Sequence, residues 1–174
     1  MSVADPTLPR PDLWFTRDGY EFRAADSGPV DGEPVVLLHG FPQRTSSWER
    51  VVPLLHAAGL RTLVLDQRGY CESARPRSRR AYRVPELVAD VTALLDAAEV
   101  ESAHVVGHDW GAMVAWSMAA AEPTRARSLT AVSVPHPAAF LKAMVFSDQL
   151  LRSWYMVFFQ LPFIPELVLT SAGP

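Results

Sequence analysis

Short apolar runs alternate with stretches of helical periodicity along most of this chain. Continuous apolarity over strand length is typical of strands that are covered on both faces. Strands of this kind are predicted at residues 35–38, 61–65, 103–106 and 129–134. Amphipathic helices are predicted between them, at residues 46–58, 85–98 and 110–121. Since parallel strands need crossover connections, the alternation predicts an α/β fold with a mostly parallel sheet.

The two ends of the chain follow other patterns. Residues 1–12 contain three prolines and are predicted to form an irregular arm. Asp18-Gly19 lies between two partly apolar runs, which predicts a β-hairpin. Residues 140–169 are rich in large apolar side chains without strand alternation, so helices are favoured there. We therefore expect a core at residues 13–138 and a separate helical segment at 139–174.

The amino-acid composition of the chain argues against several classes of function. The formal net charge of −3 over 174 residues disfavours an electrostatic partnership with nucleic acid. The single cysteine, Cys71, excludes an internal disulfide framework. No signal peptide is legible, and the most apolar stretch, 155–169, is too short and interrupted to span a bilayer. A cytoplasmic protein without a membrane partner is expected.

The run Val105-Val106-Gly107-His108-Asp109-Trp110-Gly111-Ala112 is the most informative for chemistry. A strand ends, a G-x-D-x-G turn follows and a helix begins. Such a turn holds its central residue, Asp109, in a strained conformation above the carboxyl edge of the sheet. A carboxylate needs no base for activation, so Asp109 is suited to displacement at an sp³ carbon. The alternative is that Asp109 only caps the helix, because Asp is a strong cap residue.

Two further runs follow the first two strands of the parallel sheet. His39-Gly40-Phe41-Pro42 can aim a backbone N–H into the same cleft as the N–H of Trp110. We interpret His39 as a hydrogen-bonded residue that shapes the loop, rather than as the catalytic histidine. In Asp66-Gln67-Arg68-Gly69-Tyr70, Asp66 and Arg68 could bind substrate, but a polar strap that orders the loop is favoured.

These runs resemble the α/β-hydrolase superfamily, and more narrowly its epoxide hydrolase and haloalkane dehalogenase branch. The matching residues are His39-Gly40-Phe41-Pro42-Gln43, Asp66-Gln67-Arg68-Gly69-Tyr70, Gly107-His108-Asp109-Trp110-Gly111 and Ser133-Val134-Pro135-His136-Pro137. The resemblance implies that Asp109 is the nucleophile and forms an alkyl ester that water hydrolyses. It also implies an oxyanion hole made by the N–H groups of Phe41 and Trp110, and a helical cap beginning near residue 139.

Within the branch, the sequence resembles epoxide hydrolases more than haloalkane dehalogenases. Dehalogenases of this family often carry Asn after His-Gly to bind the leaving halide, and Phe41 has no side-chain donor. Epoxide hydrolases use cap tyrosines as acids, and Tyr155 lies where the first of these falls; the alternative is that it is an aromatic core residue. The resemblance implies no metal or organic cofactor, and the substrate expected is a small apolar electrophile such as an epoxide.

The family mechanism also needs a histidine base and an acid, which the resemblance places after the cap. None of the five histidines occupies that position, so the chain is expected to be truncated and to lack turnover. The strand at 129–134 would then be an unpaired edge prone to self-association. Three hypotheses remain open: the amino-terminal part of an epoxide-hydrolase-like enzyme, a non-catalytic module that binds apolar ligands, and a structural protein that pairs through its edge.

Overall fold

The computed structural model describes residues 12–159 and 161–171, and the chain divides into two compact units between Val134 and Pro135. The predicted arm at 1–12 lies outside the described residues except for Asp12. The proposed boundary near residue 139 thus falls close to the division between the units. The role of the second unit as a cap stays a prediction.

Six strands form one sheet in the first unit, in the order β1-β2-β4-β3-β5-β6. Their bounds are β1 (Leu13–Arg17), β2 (Tyr20–Ser27), β3 (Glu33–Leu38), β4 (Leu60–Leu65), β5 (Ala103–His108) and β6 (Ala126–Val132). The pairs β3–β4, β3–β5 and β5–β6 are parallel, whereas β1 and β2 join in antiparallel fashion. The α/β class with a mostly parallel sheet is confirmed.

The predicted hairpin is present between β1 and β2. Asp18 and Gly19 both have positive φ, at 53° and 76°, as a two-residue hairpin turn of this twist requires. The register pairs Phe15 with Phe22, whose rings stack at 5.1 Å between centroids. Local turn chemistry and a cross-strand aromatic pair therefore fix this edge of the sheet.

The helices of the first unit are α1 (Val52–Ala57), α2 (Val84–Ala97) and α3 (Trp110–Ala121). The single helix predicted at 46–58 is wrong, because the segment divides into a 3-10 turn at Thr45–Trp48 and the short α1. Pro53 explains the break: it lacks an N–H and is accepted only in the first turn of a helix. The strand predicted at 129–134 instead spans Ala126–Val132.

The core lies on both faces of the sheet. Every residue from Val35 to Leu38 in β3 is at most 2% exposed, as expected for a central strand covered on both sides. Helices α2 and α3 cover the larger cluster, and Trp48 with residues near α1 covers the smaller one. Strand β6 pairs with β5 and has no second neighbour among the described strands, so it forms an edge.

The described residues of the second unit form short helices and no strand, as predicted for 140–169. They are α4 (Pro137–Phe146), α5 (Gln149–Arg152), α6 (Trp154–Phe158) and α7 (Ile164–Ser171). His136 caps α4, because its Nδ1 accepts a hydrogen bond from the N–H of Ala138 at 3.2 Å.

Candidate active site at the turn between β5 and α3

Asp109 occupies a strained turn between β5 and α3. Its φ of 51° and ψ of −120° lie outside the regions that L residues commonly adopt. The glycines beside it are sterically required. A Cβ on Gly107 would lie 2.3 Å from the carbonyl oxygen of Gly111, and one on Gly111 would lie 2.2 Å from that of Leu38. The predicted tight turn from strand to helix is confirmed.

The Asp109 carboxylate does not cap the helix that follows it. Although Asp109 stands at the N-cap position of α3, its side chain accepts no capping hydrogen bond. Its Oδ1 is buried and has no hydrogen-bond partner among the described residues. An unpaired buried oxygen on a carboxylate costs folding free energy. The cap interpretation of Asp109 is therefore wrong, since its side chain makes no capping bond.

The loop after β3 passes directly against Asp109. A Cβ on Gly40 would lie 2.5 Å from Cβ of Asp109, so only glycine permits this approach. Phe41 follows immediately, and the peptide bond between Phe41 and Pro42 is cis. Trp110 is the first residue of α3, where backbone N–H groups have no acceptor within the helix. The expected oxyanion pair, the N–H groups of Phe41 and Trp110, stays a prediction.

His39 is buried and uncharged. Its Nδ1 donates to the carbonyl oxygen of Gly40 at 3.0 Å, and its Nε2 accepts the N–H of Gln67 at 3.2 Å. Burial lowers the pKa of His39, although the Gly40 carbonyl and the Asp66 carboxylate act in the opposite direction. Both ring nitrogens are therefore used by the backbone, which confirms the interpretation of His39 as a residue that shapes the loop.

The loop after β4 is held by ion pairs and hydrogen bonds rather than left open for substrate. Arg68 is buried and binds Asp90 of α2 through two bonds, at 2.6 Å and 2.8 Å. Arg17 of β1 adds a third bond to the same carboxylate, at 2.8 Å. Asp66 accepts the N–H of Thr45 at 3.0 Å. The predicted polar strap is confirmed.

Sequence reasoning did not identify Asp90 as the partner of Arg68. A signal was present, because Asp90 lies four residues before Leu94 and therefore on the apolar face of α2. An acidic residue on a buried helical face requires a cationic partner. The buried Asp90 side chain, only 1% exposed, fulfils that rule.

Tyr70 is a second residue near the site that sequence reasoning did not single out. Its ring makes an edge contact with His39, at 4.5 Å between centroids. Burial and the negative charge of Asp109 raise the pKa of Tyr70 above its ordinary value of about 10, while Arg44 lowers it. The phenol is therefore protonated at neutral pH and lies within electrostatic range of the candidate nucleophile.

Each of the other four histidines has a hydrogen bond to a group other than the Asp109 carboxylate. His108 bonds Gln43 Oε1 through Nδ1 at 2.8 Å, and His104 bonds Ser128 near the opposite end of β5. His56 contacts Thr62 at 2.9 Å, and His136 caps α4. Tyr155, the candidate acid, lies on α6 and is half-exposed.

Two features are absent from residues 12–159 and 161–171. Nowhere in this part of the chain do three His, Cys, Asp or Glu side chains converge in a way that could hold a metal ion. Within the same ranges, none of the helices combines the length and apolarity needed to cross a bilayer.

Comparison with known proteins identifies the family to which this fold belongs. The family model described as the alpha/beta hydrolase fold matches residues 33–165. Epoxide hydrolase B of Mycobacterium tuberculosis is 50% identical over 112 residues, covering 64% of this chain and 32% of that protein. The AB hydrolase superfamily protein YfhM of Bacillus subtilis is 39% identical over 150 residues, covering 86% and 52%. Among solved structures, epoxide hydrolase A from Mycobacterium thermoresistibile matches with a TM-score of 0.74 and 34% identity, covering 90% and 50%.

The chain belongs to the α/β hydrolase fold family, since the family model matches most of its length. Its similarity within that family lies with the epoxide hydrolase branch, as the resemblance in the sequence indicated. The chain spans between about a third and about half of the length of these relatives.

Proposed function

We propose that this chain carries the nucleophilic half of an epoxide-hydrolase-type reaction, with Asp109 as the nucleophile. One observation carries the proposal: Asp109 is held in a strained turn, and its buried Oδ1 is left without a hydrogen bond. Strain and an unsatisfied buried group persist only where the surrounding structure holds them, and they concentrate at functional sites. The similarity to epoxide hydrolases supports the choice of reaction.

The proposed first step is an attack on a ring carbon of the epoxide. A carboxylate oxygen of Asp109 forms a bond to that carbon, and the ring C–O bond breaks with its electron pair moving to oxygen. The departing oxygen takes up a proton, for which Tyr155 is the proposed donor. The product is a hydroxyalkyl ester of Asp109. Ring opening releases strain, so an ionised carboxylate needs no activating base.

The proposed second step is hydrolysis of that ester by water. The N–H groups of Phe41 and Trp110 would stabilise the oxyanion that forms on the ester carbonyl. The step also needs a base for the water, and the hydrogen bonds of the five histidines involve other groups. We therefore infer that this chain forms the ester readily and hydrolyses it slowly.

The remaining assignments follow from the same proposal. The substrate class is a small apolar epoxide, and the second unit, from about residue 139, is the beginning of a helical cap that contributes Tyr155. A cytoplasmic location fits such a reaction. Self-association through the edge strand β6 is part of the proposal, because its backbone groups on one side have no strand partner among the described residues.

Mass spectrometry of the intact chain tests the proposal. After incubation with styrene oxide, we expect one added epoxide per chain, located at Asp109 by peptide fragmentation. Asp109→Asn should remove the adduct, because an amide is a far weaker nucleophile than a carboxylate. Asp66→Asn is the matched control: Asp66 also follows a strand at the carboxyl edge, but its Oδ1 is occupied by the N–H of Thr45, and labelling should persist.

One outcome would overturn the assignment of Asp109, and another would overturn the slow hydrolysis of the ester. Labelling that persists in Asp109→Asn would show that another nucleophile reacts. Steady diol production that depends on Asp109, without accumulation of the ester, would keep the nucleophile but refute slow ester hydrolysis.

A further inference from the structure

The loop that carries Gly40 and Phe41 is held in place by two buried side chains, His39 and Gln67. The imidazole of His39 accepts the backbone N–H of Gln67, and the side-chain Nε2 of Gln67 donates to the carbonyl oxygen of His39. The two residues are 0% and 7% exposed, so water does not compete for these bonds. Their mutual bonds join the loop after β3 to the loop after β4.

The same carbonyl group also borders the turn that bears Asp109. A Cβ on Gly111 would lie 2.7 Å from the His39 carbonyl oxygen, so α3 packs directly on the atom that Gln67 holds. One residue further, Gly40 approaches Cβ of Asp109. A shift of the His39 carbonyl would therefore move both the Gly40–Phe41 amides and the start of α3.

We propose that Gln67 is a positioning residue that acts through His39 to fix the Gly40–Phe41 turn against Asp109. This inference rests on the proposed function for its catalytic consequence, but its structural content does not. The carboxamide is suited to the role because it has N–H donors for the His39 carbonyl and carries no charge into a buried site. His39 transmits the constraint, since its Nδ1 donates to the carbonyl oxygen of the next residue, Gly40.

The test uses Gln67→Met, which keeps the side-chain length and removes the donor, and Gln67→Glu, which keeps the shape and places an acceptor against the His39 carbonyl. Thr92→Val is the matched control. It also removes a partly buried donor, the hydroxyl that bonds Glu122 at 2.8 Å and the Val88 carbonyl at 3.3 Å, but Glu122 lies at the opposite end of α3 from Asp109. The comparison therefore separates positioning from a general loss of stability.

The first readout is structural and independent of activity. In the ¹⁵N-labelled chain, we expect the amide resonances of Gly40 and Phe41 to shift in both Gln67 variants and to stay in place in Thr92→Val. The His39 ring should show the neutral form protonated at Nδ1. Unchanged Gly40 and Phe41 resonances in Gln67→Met would overturn the proposal, and if that variant does not fold, Gln67→Glu decides by the same resonances.

The second readout is the rate of Asp109 alkylation by styrene oxide, measured at several epoxide concentrations. We expect Gln67→Met to lower the limiting rate constant about fivefold to tenfold, with little change in the half-saturating concentration, because the lost hydrogen bond to the His39 carbonyl no longer fixes the Gly40–Phe41 turn that faces Asp109. An equal loss in Thr92→Val would overturn the positioning role. If the wild-type chain is not alkylated at all, the proposed function fails, while the resonances still decide whether Gln67 holds the turn.

Discussion

The two compact units of this chain differ in how much apolar surface they bury. The first unit has a continuous core in which residues such as Leu37 and Leu94 are fully buried. In the second unit, Leu151 is 77% exposed and Phe163 is 81% exposed. Both units contain helices that their sequence patterns predict, yet among the described residues of the second unit many large apolar side chains stay exposed. Local periodicity therefore specifies a helix without ensuring that its apolar face is covered.

The largest expected effect comes from the buried ion pair of the first unit. Asp90→Ala would leave Arg68 without its principal partner in the interior, and breaking a buried pair in this way costs about 3–5 kcal/mol. Urea denaturation should show that loss in the free energy of unfolding. Asp148→Ala removes the exposed pair with Arg152 in the second unit and should cost less than about 1 kcal/mol. Similar losses in the two variants would contradict the contrast between the units.

Leucine-to-alanine substitutions test the same difference in burial between the two units. Leu94→Ala removes a fully buried side chain of α2 and should cost about 2–5 kcal/mol. Leu151→Ala, the control, removes a side chain that is mostly exposed and should change stability by no more than about 0.5 kcal/mol. Both free energies come from the same denaturation experiment. A cost above about 2 kcal/mol for Leu151→Ala would show that the second unit has a core of its own.

Measurements of self-association should show whether the edge strand β6 or the exposed helices of the second unit hold the copies together. Thr130 is exposed on β6, and a lysine there places a charge on an unpaired edge, the means by which natural sheets avoid pairing. We expect Thr130→Lys to weaken self-association severalfold in sedimentation velocity experiments at increasing concentration. Leu151→Lys adds the same charge to the second unit. If only Leu151→Lys disperses the chain, the exposed helices rather than the edge strand cause the association.

Much of the fold was predictable because strand and helix periodicities are local properties. Residues 35–38 are all apolar, and residues 103–106 are apolar except for His104. Each run lies within a central strand of the sheet. The segment 46–58 was not predictable as one element, since its apolar spacing is helical throughout and only Pro53 marks where α1 begins. Periodicity sets the type of an element, while its ends depend on single residues and on tertiary contacts.

The candidate site was predictable to the extent that it depends on short motifs. Gly107 and Gly111 around Asp109 indicate the tight turn, because only glycine allows the carbonyl groups to approach so closely. The partners of Arg68 and His39 were not predictable in the same way. They come from α2 and from the loop after β4, so the pairings depend on strand order, which apolar patterns do not encode.

The smallest predicted effect is a loss of folding stability at acidic pH, and it arises from His39 in the first unit. Its pKa is lowered in the folded chain, so below about pH 6.5 the unfolded chain binds a proton that the folded chain does not. Stability from this group is therefore complete at pH 7.5 and is lost as pH falls from 6.5 toward the lowered pKa, by at most about 1.4 kcal/mol per pH unit. His39→Asn keeps a donor for the Gly40 carbonyl but does not titrate. Denaturation at pH 7.5 and pH 5.5 should thus show a steeper loss in the wild-type chain than in His39→Asn, and equal losses would mean that His39 becomes protonated without unfolding the turn.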